Sequence, residues 1–476
     1  MLALSRIPLA QACRSLPTRP GRVWLAGWAL GTLLAGCALY HPMPLDEAAR
    51  AQALAPLQLD RVKVAAAGLE HPLVKSIVID GAGGFSPDEI AVMAVIVSPQ
   101  LRALRDQRGV ARAQVIQAGI LPNPQLSHTI DYPHNTDPTA IAAKGTTWSW
   151  DLSALLARHD EIAAARANAA AVDLQIAWAE WQVAQDARLR AFRLLSMQTQ
   201  LPLAREIETG LANNIEAIRK ALARGYKTTA DLTAATDLLT QARNNRLALE
   251  QATTADRLAL NIALAIPVDQ TLEIKPAAKF PELAAHPGAL AELLNGIEKR
   301  RLDLVALQLG YRSQEATLRA AVKSQFPRIG VSFTKANDSS NITPLGGGVN
   351  LELPIFDRRQ GVVAAAKASR QQLFDEYYAR VAEARAEVRQ ILENLTATRT
   401  QLGEATRSLP DLEQLAASYE KAYQSNNADV VTYRDAHAAL ATRRMEQSKL
   451  QQDLLELSVA LEIATGRPLL NREPAS

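Results

Sequence analysis

Cysteine is almost absent from this chain: among its 476 residues only Cys13 and Cys37 are cysteines. Both lie within the first 37 residues, so the rest of the chain cannot form an internal disulfide. The seven histidines show no ligand spacing with one another or with cysteine. No glycine-rich phosphate loop and no nucleophile–base motif occurs either. We therefore predict no metal site, no cofactor and no enzymatic activity.

Long apolar runs are also missing. After Cys37 the best candidates are residues 90–97 and 258–268, which are much shorter than the roughly 20 residues of a transmembrane helix. Aromatic residues make up only 5% of the chain, too few for a thick globular core. We expect no membrane-spanning helix, and we expect long helices that pack side by side as a shell.

The chain also has little net charge. The formal charge is +3, but four arginines and no acidic residue lie in the first 36 residues, so removing that leader leaves about −1. A chain with this balance lacks the basic surface that nucleic acids require. We predict that nucleic acid is not a partner.

The leader itself has the pattern of a bacterial export signal. An apolar run from Val23 to Leu34 follows the arginines, and Leu34-Ala35-Gly36-Cys37 then matches a lipoprotein-processing box. We predict a signal peptide over residues 1–36 and a lipid on the thiol of Cys37, which anchors the chain through buried CH₂ groups. Ala38, which is not an aspartate, favours sorting to the outer membrane.

The mature chain divides into a tether and two halves. Prolines and glycines over residues 37–86 predict an extended tether with little regular structure. Ser86-Pro87-Asp88-Glu89 predicts a helix start. That helix is expected to reach about Gly119, with a break near Ser98-Pro99.

Four segments have the period-2 alternation of strands with one apolar and one polar face. They form two predicted hairpins: residues 125–132 with 146–152, and residues 328–335 with 347–353. The rest is predicted to be helical. The stretch between Pro354 and Pro410 and the stretch between Pro410 and Gly466 contain no proline. Each is long enough for a helix of roughly 80 Å, with a turn near Asn426. Four leucines in the last stretch are spaced as a coiled-coil seam: Leu450, Leu454, Leu457 and Leu461.

The two halves are copies of each other. Asp151-Leu152 and Glu352-Leu353 lie 201 positions apart, as do Ala163–Ala167 and Ala364–Ala368, and Pro267 and Pro468. A repeat of this length is a duplicated half-protein rather than a solenoid unit. We assign repeat 1 to residues 87–290, repeat 2 to residues 296–468, and a C-terminal tail to residues 469–476.

Four strands from one chain cannot close a barrel, and open sheet edges are not tolerated in lipid. Several chains must then share one barrel. Two chains would give eight strands and a filled interior, whereas three would give 12 strands and room for an aqueous lumen. The predicted fold class is an α+β membrane protein with duplicated half-repeats, in which a long helical coiled-coil barrel continues the shared β-barrel.

Four motifs in order carry a resemblance to a known family: Phe85 to Leu101, Gln117 to Leu126, Leu351 to Gly361, and Ala460 to Pro468. On these stretches, the chain resembles the TolC-like outer-membrane efflux channels, specifically their lipidated branch. The resemblance implies a homotrimer with a twelve-stranded barrel in the outer membrane and a helical tunnel in the periplasm. It also implies a passive exit duct that docks on a periplasmic adaptor protein and an inner-membrane pump.

The resemblance further implies a gate at the turns between the long helices. The first-half turn contains Gly225, and the second-half turn has Asn426 where the family usually has glycine. Asp435 matches a pore-facing aspartate, which would form a ring of three acids in the trimer. The candidate latch pairs Arg224, Lys227 or Arg434 with Asp231, Asp429 or Asp435. The alternative is ordinary solvated charge at helix ends, worth at most about 1 kcal/mol per pair.

Aromatic residues on or beside the strands are candidates for an interfacial belt: Tyr132, Trp148, Trp150 and Phe333. The alternative for them is packing at the junction between barrel and tunnel. For the whole chain, the main alternative is a periplasmic coiled-coil lipoprotein with an adaptor or structural role. Such adaptors usually carry a domain of many short strands and lack this duplication.

Overall fold

The structure is a computed structural model that describes residues 40–53, 58–134, 141–275, 290–425, 427–428 and 430–470. Four features predicted above lie outside the described residues: the signal peptide, Cys37, Asn426 and Asp429. The chain divides into two compact units, residues 1–55 and 56–476. In the first, the described helix is α1 (Glu47–Ala53).

The second unit combines long helices with one small sheet. The helices are α2 (Leu59–Ala67), α3 (Pro87–Val97), α4 (Pro99–Gly119), α5 (Ala154–Ala223), α6 (Thr229–Ala263), α7 (Leu290–Leu294), α8 (Ile297–Arg300), α9 (Leu302–Lys323), α10 (Gln360–Gln424) and α11 (Val430–Thr465). The strands are β1 (Gln125–Asp131), β2 (Ala143–Asp151), β3 (Arg328–Asn337) and β4 (Leu345–Glu352). Among the described residues, no helix combines the length and apolar character needed to cross a membrane.

The first long helical segment begins and breaks where the sequence predicts. The Ser86 hydroxyl accepts the Glu89 N–H, and the Glu89 carboxylate accepts the Ser86 N–H, which forms a complete capping box. Ser98 leaves the helical conformation and caps the next helix by accepting the Leu101 N–H. Pro99 cannot donate to the preceding turn, so α3 and α4 are separate helices.

Two of the long helices contain an interior proline, and one of these, Pro410, was predicted to be a helix boundary. α10 is 65 residues long, contains Pro410 and ends at Gln424. α5 is 70 residues long and contains Pro202. An interior proline costs about 3 kcal/mol. On either side of Pro410, Leu409 and Ala416 pack against Leu440 of α11. Burial of these side chains offsets the free-energy cost of the interior proline.

The four strands form one antiparallel sheet in the order β1-β2-β3-β4. The predicted hairpins are confirmed: β1 pairs with β2 and β3 with β4, with bounds within three residues of those expected. The central pairing joins the two halves, with Trp148 opposite Phe333. The two hairpins of the duplicated chain therefore form a continuous surface.

The prediction of an extended tether is wrong for residues 58–86. α2 is a regular helix there, and Val62, Ala66, Val74 and Ile79 are buried. They belong to a core that includes the helix α3 and the Trp178 and Trp181 side chains of α5. Hydrophobic contacts with distant residues order this segment despite its prolines and glycines. A second core joins α5 to the helices α7 to α11. Three of the four leucines of the predicted seam lie in it, namely Leu454, Leu457 and Leu461, and Leu450 does not.

The duplication is visible in the backbone where the last helix of each half ends. After α6, Ala265 has a φ of 52°, and the Ile266 N–H bonds to the Asn261 carbonyl. After α11, Gly466 has a φ of 65°, and the Arg467 N–H bonds to the Glu462 carbonyl. These pairs are again 201 positions apart. The same left-handed helix end therefore occurs twice, once with glycine and once with alanine.

We expect exchanges of glycine and alanine at these two sites to have opposite effects. A Cβ at Gly466 would lie 3.2 Å from the Arg300 carbonyl oxygen and from Arg301 atoms, so Gly466→Ala should destabilise by about 1–3 kcal/mol. Ala265→Gly relieves a strained φ and should change stability by less than about 1 kcal/mol. Thermal unfolding followed by circular dichroism measures both. Equal losses in the two variants would contradict the shared geometry.

Candidate functional site

The sheet has two chemically distinct faces. The alternate positions that include Leu126, Trp148, Phe333 and Val349 project on one side, and Lys144 and Lys335 lie on the same side near the loop end of the sheet. Leu126 is 73% exposed and Val349 is 72% exposed. Exposed apolar surface of this kind marks contact with a protein or a membrane.

The opposite face contains no large apolar side chain. Cross-strand contacts on it are polar: the Thr147 and Thr334 hydroxyls lie 3.0 Å apart, and Arg328 pairs with Glu352 at 3.6 Å. The residues of this face are Gln125, Ser127, Thr129, Asp131, Ala143, Gly145, Thr147, Ser149, Asp151, Arg328, Gly330, Ser332, Thr334, Ala336, Gly346, Gly348, Asn350 and Glu352. One side of the sheet thus suits an apolar environment and the other suits water.

The predicted interfacial aromatics occupy different levels of the sheet. Trp148 and Phe333 lie opposite each other and are 39% and 49% exposed. Tyr132 follows β1 at the loop end of the sheet and is also exposed. Trp150 donates its indole N–H to the Pro122 carbonyl at 2.7 Å, which fixes it at the junction with α4. Trp150 therefore matches the junction alternative, whereas the other three are available for an interface.

The other candidate site lies at the turns α5–α6 and α10–α11. Gly225 has a φ of 75°, and the Tyr226 N–H closes the end of α5 on the Ala221 carbonyl. A residue with a Cβ is rarely stable at this φ, which explains the glycine. The same turn exposes Arg224 and Lys227.

In this structure the Asp231 carboxylate caps the start of α6. Its carboxylate accepts the Thr228 N–H at 2.8 Å and also the Thr228 hydroxyl. The Thr228 backbone bond, and next the hydroxyl bond, hold the pKa of Asp231 below its usual range. The charge of Lys227 lowers that pKa as well, although within the described part of the chain no direct ion pair joins Asp231 to Arg224, Lys227 or Arg434.

Asp435 is joined to the opposite half of the chain. Its Oδ1 accepts the Asn214 Nδ2–H at 2.7 Å, so it links α11 to α5 near the turns. Asn214 is 4% exposed. This partner was not predicted, because a single asparagine within a long helix carries no signal for a contact 221 positions away.

A stack of aromatic rings closes the second turn. Tyr423 of α10 and Tyr433 of α11 lie 5.0 Å apart with nearly parallel planes, and His437 packs edge-on against Tyr433 at 4.7 Å. His437 also faces Glu420 at 4.0 Å. Arg434 lines the adjacent groove with Arg205 and Glu206. Ring stacking therefore aligns α10 with α11 at the turn.

The comparisons with known proteins agree with this geometry. Residues 293–467 match the family model described as outer membrane efflux protein. A search of curated protein sequences found no match.

Solved outer-membrane proteins have the same protomer architecture. VceC from Vibrio cholerae is 16% identical, with 80% of this chain and 96% of that chain covered and a TM-score of 0.62. CmeC from Campylobacter jejuni is 14% identical, with 82% and 87% covered and a TM-score of 0.66. MtrE from Neisseria gonorrhoeae is 15% identical, with 84% and 97% covered and a TM-score of 0.63.

The similarity to these structures extends over both halves, while the family model lies in the second. The predicted α+β class with long helices and a small antiparallel sheet is confirmed. Residues 293–467 thus match the outer membrane efflux protein domain, and the chain has the fold of the solved outer-membrane channels, in agreement with its resemblance to the TolC-like family.

Proposed function

We propose that this protein is the protomer of a homotrimeric outer-membrane efflux channel, a passive exit duct through the outer membrane and the periplasm. The observation that carries the proposal is the sheet, which has one exposed apolar face and one polar face. In a membrane barrel the apolar face would contact lipid and the polar face would contact an aqueous lumen. The lipid predicted on Cys37 adds a second attachment to the same membrane.

Two features of the chain support assembly with further copies of itself: the open edges of the sheet and a row of exposed alanines on α10. In the order β1-β2-β3-β4 the two outer strands pair on one side only, and their free backbone groups need partners in lipid. On α10, the exposed alanines Ala379, Ala382 and Ala386 are spaced three and four residues apart. That spacing suits close packing of a neighbouring helix. Three protomers then supply 12 strands to one barrel.

Docking to a periplasmic adaptor and an inner-membrane pump is the second element of the proposal. The α5–α6 and α10–α11 turns lie at the ends of the helices that are distant in sequence from the strands. Exposed charges at these turns, including Arg224 and Lys227, can contact a partner surface. The pump supplies the energy, since the channel has no predicted cofactor or catalytic motif.

Adjacent lysine substitutions in β4 test the channel. Val349 projects from the apolar face and Asn350 from the polar face. Val349→Lys should cost about 2–4 kcal/mol per protomer in a bilayer and should reduce the amount of heat-resistant trimer in outer-membrane fractions. Asn350→Lys should leave trimer yield unchanged and shift the selectivity of single channels toward anions.

Planar bilayers and membrane fractionation provide the measurements. Equal trimer yields for Val349→Lys and the unmodified protein would contradict the lipid-facing assignment. A wild-type chain that is found in the inner membrane or the soluble fraction, without conductance, would instead support the alternative of a periplasmic lipoprotein. Cys37→Ser should abolish labelling with radioactive palmitate, which tests the anchor separately.

A further inference from the structure

The chain between α2 and α3 has no regular structure over residues 69–79, yet it is packed against the helices. Val74 and Ile79 are buried, and Leu69, Leu73 and Ile77 are partly buried in the same core. Trp178 and Trp181 of α5 lie in that core. We call residues 69–79 the docked segment. Because it has no ladder of backbone hydrogen bonds, side-chain contacts must keep it in place.

One side chain, His71, connects the docked segment to α5. Its Nδ1 accepts the Val74 N–H at 2.8 Å and the Leu73 N–H at 3.0 Å. Its Nε2 lies 3.0 Å from the Ala177 carbonyl oxygen, to which it can only donate. The imidazole is 2% exposed. The imidazole therefore stabilises the turn that follows it in the segment and also attaches the segment to α5.

These contacts are compatible with only one ionisation state. An Nδ1 that accepts two N–H groups cannot carry a proton, whereas Nε2 must carry one to reach a carbonyl. The neutral Nε2–H tautomer satisfies both nitrogens. A second proton would place an N–H on Nδ1 directly against the N–H groups of Leu73 and Val74.

The charged groups around His71 come from two helices and from the segment itself. Glu180 of α5 has an oxygen 3.4 Å from Nε2, and Arg105 of α4 pairs with Glu180 at 2.6 Å. Glu70 and Lys75 line a cavity of about 580 Å³ next to the ring, which gives water a route to it. Thus one carboxylate faces the imidazole directly, and an arginine partly neutralises it.

Burial has the largest effect on this group. It holds the pKa of His71 below its ordinary value of 6.5, although the Ala177 hydrogen bond and the Glu180 charge act in the opposite direction. A histidine whose pKa is lower in the folded state stabilises that state above its unfolded pKa. The stabilisation is lost as the pH falls from 6.5 toward the folded value.

We propose that His71 is an acid-sensitive latch, which holds the docked segment on α5 when neutral and releases it when protonated. Release removes three hydrogen bonds and opens the core around Trp178 and Trp181 to water. The layer formed by α2, the segment and α3 then separates from α5 at this point. This function is additional to the proposed export channel and does not depend on it, because all of its contacts lie within one protomer.

The variant His71→Asn tests whether ionisation of His71 controls docking, because asparagine can keep the hydrogen bonds without titrating. An asparagine oxygen can accept N–H groups two and three residues ahead, as Nδ1 does, but it does not titrate near neutral pH. Hydrogen exchange of peptides from residues 69–79 should be compared in the full-length wild-type and variant proteins at the same pH. The intrinsic pH dependence of exchange then cancels.

From about pH 7.5 to about pH 5, wild-type protection should fall by about tenfold relative to the variant. His437→Asn is the matched control on a distant helix and should keep the wild-type response. An unchanged ratio between wild type and His71→Asn at acid pH would overturn the proposal.

If His71→Asn already loosens the docked segment at neutral pH, a second variant tests whether protonation of His71 controls its release. Glu180→Gln removes the negative charge that favours the imidazolium, so release of the segment should shift to lower pH. A release pH that stays the same, or that moves upward, would show that His71 does not control docking.

Discussion

Glu462→Ala is expected to destabilise the folded chain by about 3–5 kcal/mol, because it leaves a buried arginine without its nearest carboxylate. Glu462 is fully buried, and its Oε2 accepts the Arg188 guanidinium at 3.0 Å and Gln185 at 3.2 Å. Its Oε1 accepts the Leu469 and Leu470 N–H groups at 2.6 and 2.7 Å. One carboxylate therefore joins α11, α5 and the chain that follows α11.

The remaining partner of Arg188 cannot compensate fully. Asp88 of α3 lies 3.1 Å from the guanidinium, but its side chain is 33% exposed and its charge is partly screened by water. Glu462→Gln keeps the shape and part of the hydrogen bonding, so its loss should be smaller than that of Glu462→Ala. Chemical unfolding in detergent, followed by circular dichroism, measures both variants.

An exposed pair provides the matched control. Arg389 and Glu393 of α10 form an ion pair at 3.0 Å with side chains that are 69% and 67% exposed. Glu393→Ala should change the unfolding free energy by less than about 0.5 kcal/mol. If Glu462→Ala were no more harmful than Glu393→Ala, the buried network would not be a major source of stability.

Asp435→Ala should shift the mouth of the proposed channel toward its open state by at least about tenfold and should weaken cation selectivity. A hydrogen bond to a charged group contributes about 1.5–3 kcal/mol, and each protomer loses one between Asp435 and Asn214. The trimer also loses a predicted ring of three acids at the pore. Single-channel conductance and reversal potentials in planar bilayers report the two effects separately.

Two further substitutions separate the hydrogen bond from the charge. Asn214→Ala removes the link to α11 but keeps the acid, so it should raise conductance without changing selectivity. Asp435→Asn keeps an acceptor for Asn214 but removes the charge, so it should change selectivity with little effect on conductance. If all three variants behaved like the wild type, Asp435 would have no part in gating.

The features predicted correctly depend on local chemistry. The Ser86 capping box, the break at Ser98-Pro99 and the four strands follow from hydrogen bonds or alternation within a few residues. The spacing of 201 positions is likewise present in the sequence itself. It reappears in the structure as two equivalent left-handed helix ends, at Ala265 and Gly466.

The errors concern positions where distant contacts outweigh local preference. Pro410 marked a helix end by its own chemistry, but packing against Leu440 keeps α10 continuous. Residues 58–86 have the composition of a tether, but α3 and α5 cover their apolar side chains. In both cases a residue far along the chain supplies the stabilising free energy, and no local pattern records it.

The candidate site divides in the same way. The sequence by itself determined the duplication and the two-faced strands, because each is a matter of residue type and spacing. The glycine at the first turn and Asp435 became candidates for the gate through the resemblance to a known family. Only the tertiary structure decided that Asp435 bonds to Asn214 and that His71 attaches its segment to α5. The physical reason is that residue spacing specifies which face a side chain occupies, whereas its partner depends on how segments more than 100 residues apart pack together.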